Sequence, residues 1–503
     1  MQRIVIVGDR TIDRFFYSQP SGDTGENWQL VPSIWEFYLP GGVLLLEQLI
    51  RASLDMRKEL NDLVKLKQFD LKISTTPAPR GELRSVSPAS VIQSSARLEQ
   101  FPAGKEKLRW RVSQPLGFQG PQRGGTTQVD KAPQPLVPDT GSHADRDQVD
   151  PRTPQPLLSD AELSVLDDHG NAFRNDQAAW PAALTEWKGD VPIIHKMRHP
   201  LNKGRQPDAL WECLESKLKS IDLPQYVLVV SADDLRETEG VRISKGLSWE
   251  RTAKEFLFQL KQTPALKPLQ HCPCIVVLFG WEGAIVYRRT TDPSPQFVAT
   301  LHFDSQQIEG GFEAGTSGTM FGMTSVFIAT LIGRIVMADE EAKKLKGAAK
   351  LDLFEVVDGS VPEGLARTRL WFETAFELDR LPSPNYPVQT VFPNPAKVLA
   401  EDIFSWTMIP PVSSSTDPDP AAWRIVNQEW AAISVVIAME YVRTGNAPGL
   451  LRSPTGVFGK LKTVDRLEIE SFNSIRALVQ EFLNAKSRKR PLCVGVFGPP
   501  GAG

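Results

Sequence analysis

Cysteine is scarce in this chain, four in 503 residues, which excludes a disulfide framework and points to a reducing compartment. Cys272 and Cys274 stand beside His271, but C-x-C with one His offers three ligands at a spacing that zinc sites do not use. They are read as small buried thiols at a strand edge, and no structural metal is expected. A basic excess is also lacking. The net charge is −3 and the pI about 6.2, so no surface for neutralising nucleic-acid phosphates is expected. One basic run, Lys486-Ser487-Arg488-Lys489-Arg490, reads as a solvated linker. Long apolar runs are missing too. Ala314–Gly333 carries no charge, but half of it is Gly, Thr or Ser, and its apolar part, Val326–Ile332, is too short to cross a bilayer. The opening Met1–Asp9 runs straight into a strand pattern without a secretory leader. These absences predict a soluble, cytoplasmic protein with neither nucleic acid nor membrane as partner.

What the chain has is alternation. At 503 residues there is room for two or three domains and a large core. Residues 1–54 read as a strand, a polar hairpin-like excursion and a helix from about Val43; residues 55–110 give little signal. From Gln119 to Pro156 the composition falls to Pro, Gly, Asp, Gln and Thr, too little apolar surface to offset ordering entropy, which predicts a disordered insertion. Strands are then expected at Leu163–Leu166, Val191–His195, Val227–Val230 and Cys274–Phe279. Helices are expected between them near Trp180–Trp187, Ala209–Lys219 and Trp249–Leu260, and a last one over Ser325–Ala338. Strands spaced by helices of this length predict βαβ units on a mostly parallel, doubly wound sheet over 1–340. Residues 341–487 read as a mainly helical connector with Pro-rich joints at Leu381–Pro395 and Pro410–Pro420 and helices at Trp423–Arg443 and Leu467–Ala485.

Residues 488–503 end in a distinct pattern. Leu492–Phe497 reads as a buried strand feeding Gly498-Pro499-Pro500-Gly501-Ala502-Gly503, a G-x-x-x-x-G run of the kind whose backbone N–H groups wrap nucleotide phosphates. The pattern demands Lys and then Ser or Thr next. The expectation is the start of a P-loop NTPase domain, with Gly498, Gly501 and Gly503 on the nucleotide side and the remainder downstream. Without the Lys and the Mg²⁺-binding hydroxyl, nucleotide hydrolysis is not expected there.

Five further motifs occur in one order. Val7-Gly8-Asp9-Arg10-Thr11-Ile12-Asp13-Arg14-Phe15 is a strand with a G-D-x-x-x-D-R turn, and Pro40-Gly41-Gly42 precedes a helix. Leu166-Asp167-Asp168-His169-Gly170-Asn171 ends a strand, and Val276–Ala284 carries the turn Gly280-Trp281-Glu282-Gly283. Gly322-Met323-Thr324-Ser325-Val326-Phe327-Ile328-Ala329 opens the last helix. In this order they resemble the ribokinase (PfkB carbohydrate kinase) family, nearest the kinase half of heptose-phosphate kinase/adenylyltransferases. The resemblance implies substrate binding by Asp13, Gly41, Gly42 and Asp168. It implies a nucleotide side at Gly280 and Gly283, an anion hole at Gly318, Gly322 and Thr324, and ATP with Mg²⁺ as cofactors.

The departures are as informative. The family's final G-A-G-D places a carboxylate at the helix N-terminus to take the substrate proton; here that position is Ser325. Where the P-G-G loop usually continues with small residues and Asn, this chain has Val43-Leu44-Leu45-Leu46-Glu47, leucines that would fill a sugar pocket. The leading expectation is a pseudokinase that senses a ligand or binds nucleotide weakly, tethered to a P-loop ATPase. The alternatives are a working carbohydrate or nucleoside kinase with Asp13 or Asp168 as base, and a structural or homo-oligomerising scaffold. Pocket content separates them: an open cleft for a sensor, a free carboxylate for a kinase, a filled cleft for a scaffold.

Overall fold

The computed structural model describes residues 3–8, 10–18, 34–60, 70–75, 92–103, 107–119, 161–168, 182–197, 202–203, 206–207, 209–221, 224–238, 240–290, 296–304, 307–314, 318–344, 351–376, 385–392 and 403–410, with shorter stretches and scattered residues from 425 to 495. The strands are β1 (Arg3–Gly8), β2 (Arg10–Ser18), β3 (Ile34–Gly41), β4 (Asp70–Thr75), β5 (Ile92–Ala103), β6 (Lys107–Gln119), β7 (Leu163–Asp168), β8 (Ile193–Met197), β9 (Asn202–Lys203), β10 (Gln206–Pro207), β11 (Tyr226–Ser231), β12 (Cys274–Phe279), β13 (Gly283–Thr290), β14 (Gln296–Asp304), β15 (Phe404–Ile409) and the separate hairpin β16 (Gly456–Phe458) with β17 (Leu461–Thr463). Nine of them form one sheet in the order β15-β14-β13-β12-β11-β8-β7-β1-β4. The run from β12 to β4 is parallel, and β13, β14 and β15 extend it antiparallel. This is the mostly parallel α/β sheet that the strand–helix alternation predicts. The strand sequences show why: Tyr226-Val227-Leu228-Val229-Val230 and Cys274–Phe279 are buried on both faces, as covered parallel strands must be.

The helices are α1 (Gly42–Leu60), α2 (Ala182–Thr185), α3 (Ala209–Ser220), α4 (Ala232–Arg236), α5 (Trp249–Gln262), α6 (Gly311–Ala314), α7 (Met323–Lys344), α8 (Leu353–Thr374) and α9 (Val388–Val391). Alternate strand residues face two separate cores. Ile4, Ile6, Val165 and Ile194 join one with α1, α7 and α8; Val5, Val7, Leu166 and Ile193 join the other with α3 and α5. In α5, Trp249, Ala253, Phe256, Leu257 and Leu260 share one buried stripe. A second sheet, in the order β3-β2-β5-β6, lies over the first core. Its β2 alternates buried Thr11, Asp13, Phe15 and Tyr17 with half-buried neighbours.

Three helices of the first layer meet at one carboxylate. Glu363 of α8 accepts from Arg57 of α1 at 2.8 Å, from Arg367 of its own helix at 2.8 Å, and from Arg334 of α7. Burial pushes the Glu363 carboxyl up, and the three guanidinium groups more than reverse this, bringing it to about 2. Burial in turn pulls Arg57 down to about 10, because a single carboxylate serves three cations.

The structure differs from the sequence reading in several places. Residues 55–110, which give little signal, contain β4 and β5 and enter β6. The helix expected over Trp180–Trp187 is one turn, Ala182–Thr185, because Trp187 turns into the core and donates to Val191 O at 2.8 Å. The connector expected to begin at 341 is not separate. Helix α8 packs into the first core, and β15 pairs with β14 along its whole length. In β15 Thr407 and Ile409 are buried and Trp406 and Met408 exposed, so the apolar alternation Phe404, Trp406, Met408 in the sequence marks a strand but not its buried face; Pro410 closes it. Cys272 and Cys274 are buried in opposite layers, and burial pushes both thiols up. Among the described residues no helix is long and apolar enough to cross a membrane. The insertion expected to Pro156 lies outside the described residues, apart from Gln119 at the end of β6, as do most of the helices expected at 423–443 and 467–485. Gly498, Gly501 and Gly503 lie outside them too, while Pro491, Cys493 and Gly495 before them are exposed and carry no regular structure.

Replacing Glu363 by Gln leaves three guanidinium groups without their counter-charge and is expected to cost about 3–5 kcal/mol in urea unfolding at neutral pH. The folded-state carboxyl lies below its ordinary 4.5, so this stabilisation is present above that value and is lost as pH falls toward about 2. The wild-type chain should lose on the order of 3 kcal/mol across that window, a component absent from Glu363→Gln.

Candidate functional site

In a doubly wound sheet the ligand edge is the C-terminal end of the parallel strands, at the point where strand order reverses. Here that point is β1, flanked by β4 on one side and β7 on the other. Asp167 near the end of β7 and Lys196 near the end of β8 are register partners on the parallel ladder. Both share the strand parity of the first core, so both point toward α7. Their charged groups stand 3.0 Å apart, an ion pair by distance whose angles fall outside hydrogen-bond geometry. Lys196 Nζ also donates to Ser325 Oγ at 2.9 Å, in the first turn of α7. All three side chains are buried, Asp167 completely. In this bond the Ser325 hydroxyl accepts from a cation that a carboxylate already pairs with, so nothing here withdraws its proton.

The turn leading into α7 is packed from three directions. Gly318 and Gly322 both have φ of +82°, the left-handed region where Gly is favoured. A Cβ on Gly322 would lie 2.7 Å from Leu45 Cδ2, and one on Gly318 would lie 2.8 Å from the carbonyl oxygen of Val112. Val112 of β6 exchanges backbone hydrogen bonds with Thr319 at 2.9 and 2.8 Å, and Trp110 does the same with Phe376 at 3.1 and 3.0 Å. The four-stranded sheet is thus stitched to the main body at two neighbouring points of β6. Thr324 is half-buried beside Ser325. Leu45 and Leu46, on α1, are buried in the first core.

Asp13 is buried, and its carboxylate accepts from Ser94 Oγ and, at 2.6 Å, from Tyr386 Oη. A Cβ on Gly41 would strike Thr11 Oγ1 at 2.3 Å and Asp13 Oδ1 at 2.5 Å; Gly42 opens α1 with φ of +55°. Burial and the Asp13 charge together push the Tyr386 phenol well above its ordinary value, so it stays a donor. Aromatic rings fill the surrounding volume, with Phe15 against Phe37, Phe321, Phe376 and Tyr386.

At the turn between β12 and β13 the chain supplies its own anion. The Glu282 carboxylate is fully buried and accepts backbone N–H groups from Trp281 at 3.0 Å, Gly310 at 3.1 Å and Phe312 at 2.5 Å. Such convergent donors form the kind of concavity that otherwise holds phosphate. Gly280, at φ of +60°, leaves room for that carboxylate, and Gly283 leaves room for the Trp249 ring. The segment beyond is fixed by Glu309, doubly bonded to Arg236 at 2.6 and 2.7 Å, and by Asp304, bonded to Arg369 at 2.7 Å.

The structure therefore brings Ser325, Thr324, Gly318 and Gly322 together at one edge with Gly41, Gly42 and Asp13, and places Gly280 and Gly283 at a neighbouring turn. Asp168 ends β7 opposite Met197. Sequence reading missed Asp167, Lys196 and Tyr386. Lys196 had a usable signal: it is one cation in the otherwise buried run Ile193-Ile194-His195-Lys196-Met197.

No family model matches this chain, and no curated protein does. Among solved structures it is similar to a putative sugar kinase from Clostridium perfringens, at 10% identity over 81% of this chain and 98% of that one, TM-score 0.34. It is similar to a carbohydrate kinase from Agrobacterium tumefaciens, at 11% identity over 81% and 100%, TM-score 0.35. A third likeness is to ribokinase from Arabidopsis thaliana complexed with ribose and ATP, at 12% identity over 74% and 93%, TM-score 0.34. Likenesses at this level carry no argument, and the α/β class rests on this chain's own strand order.

The Lys196 pair is testable by a double-mutant cycle. Lys196→Met strands a buried Asp167 carboxylate and should cost about 3–5 kcal/mol in urea unfolding, whereas adding Asp167→Asn should recover most of that loss. A double variant as unstable as the sum of the singles would show that the two groups are not coupled.

Proposed function

We propose that this chain is a ribokinase-like domain that does not transfer phosphate and acts instead as a regulatory, ligand-sensing module. One observation carries the reading. The helix N-terminus where the family resemblance calls for a proton-accepting carboxylate holds Ser325, itself accepting from Lys196. Loss of a general base typically costs on the order of 10²–10⁴ in rate. The other carboxylates described at this edge are engaged: Asp13 by Ser94 and Tyr386, Asp167 by Lys196, Glu282 by three backbone donors.

ATP and Mg²⁺ are what the resemblance implies, but the described residues fit them poorly. The donors convergent at Gly310 and Phe312 already hold Glu282, and the anion-hole turn is packed against Leu45 and Val112. No step through a nucleotide is therefore derived. A second reading, a structural scaffold, is favoured by the burial of Leu45 and Leu46 and by the aromatic filling around Phe15. A working kinase would need a carboxylate free to meet a hydroxyl, and Asp13 is not free.

The purified chain should give no ATP-dependent phosphorylation across a panel of sugars and nucleosides, and Ser325→Ala should leave that result unchanged. Turnover by the unmodified chain that disappears in Asp13→Asn or Asp168→Asn would establish a second base and overturn the proposal.

A further inference from the structure

Tyr386 sits in the pocket as a ligand would. Its ring stacks on Trp371 at 5.4 Å and 22°, tilts against Phe376 at 5.4 Å, and stands edge-on to Phe15 at 6.2 Å. Its hydroxyl donates to Asp13 Oδ2 at 2.6 Å, while Ser94 donates to the other carboxylate oxygen. The walls come from elements distinct from the occupant's own segment: Phe15 and Asp13 from β2, Ser94 from β5, Trp371 from α8. The occupant arrives from a later segment, 385–392, inside a Pro-rich joint. Apolar aromatic walls with polar groups converging at one end are the anatomy of a small-molecule site.

We propose that Tyr386 is an internal ligand, and that the pocket it fills is a binding site for a flat ring bearing one hydroxyl, a phenol-type compound. The chemistry of the walls selects that class. A phenol directs its single donor at Asp13 and lays its faces on Trp371 and Phe376, replacing each contact of the tyrosine. A sugar carries hydroxyls on every edge, and those facing Phe15, Phe376 and Trp371 would be desolvated without partners. The pocket's geometry stands whether or not the chain transfers phosphate; it locates the ligand site of the sensing reading and names what fits.

The experiment uses the full chain carrying Tyr386→Ala, with phenol itself as the probe. Deleting the ring leaves an apolar cavity ended by a carboxylate, and enclosed apolar cavities of this kind take up aromatic molecules. Saturating phenol should raise the Tm of the variant by at least about 2 °C. Benzene should raise it less, because it cannot bond to Asp13, and the wild-type chain should show a smaller shift with phenol, which must first displace Tyr386, and none with benzene. The proposal fails if phenol does not stabilise the folded variant, if benzene matches phenol, or if the wild type shows no response to phenol at saturation. Should Tyr386→Ala not fold alone, it is refolded with and without phenol: recovery only with phenol supports the internal ligand, and no recovery overturns it. The phosphorylation panel reads turnover and not ring binding, so failure of either proposal is seen separately.

Discussion

One carboxylate, Glu363, ties three helices to each other, and the packing around the turn into α7 depends on that tie. With α1 fixed against α8, Leu45 is delivered to the turn at Gly322. With α7 fixed between them, Ser325 meets Lys196. The far end of α8 then carries Trp371, which donates to Phe321 O at 2.8 Å, and Arg369, which donates to Trp281 O at 2.8 Å. Three arginines around one acid would repel each other if the acid were neutral. The same excess of positive charge that holds the carboxylate ionised makes the arrangement depend on it.

A site built for turnover keeps its donors and carboxylates unsatisfied until substrate arrives, and the surrounding fold bears that cost. This chain does the reverse at three neighbouring points. A serine and a lysine stand at the helix N-terminus, a glutamate fills a ring of backbone N–H groups, and a tyrosine bonds to the buried aspartate. Each of these partners comes from a different part of the chain.

How much of this was legible in the sequence depended on the range of the interaction. Runs such as Val227–Val230 and Cys274–Phe279 announced parallel strands because burial on both faces writes itself into consecutive residues. Ser325 was visible as a departure because a local motif framed it. The hairpin of β13 and β14 was overlooked although Ala284–Tyr287 is a continuous buried run and Gln296–Asp304 places Phe297, Ala299, Leu301 and Phe303 at every second position, since βαβ spacing favours helices between strands. Strand β15 was hidden by its Pro-rich flanks. Lys196 with Asp167, and Tyr386 with Asp13, are partners only after folding. Nothing in either residue's own neighbourhood names the other.

The late arrival of β15 imposes an order on synthesis. Strand β14 ends at Asp304, but the strand that covers its free edge begins at Phe404, about 100 residues later. At translation rates of ~5–20 residues per second, the nascent chain holds an uncovered sheet edge for roughly 5–20 s. Through that interval Phe297, Ala299, Leu301 and Phe303 line an unpaired border whose hydrogen-bonding groups could capture any extended segment nearby. The quality of this protein made in a cell is therefore set in part by how fast, and in what company, that stretch leaves the ribosome.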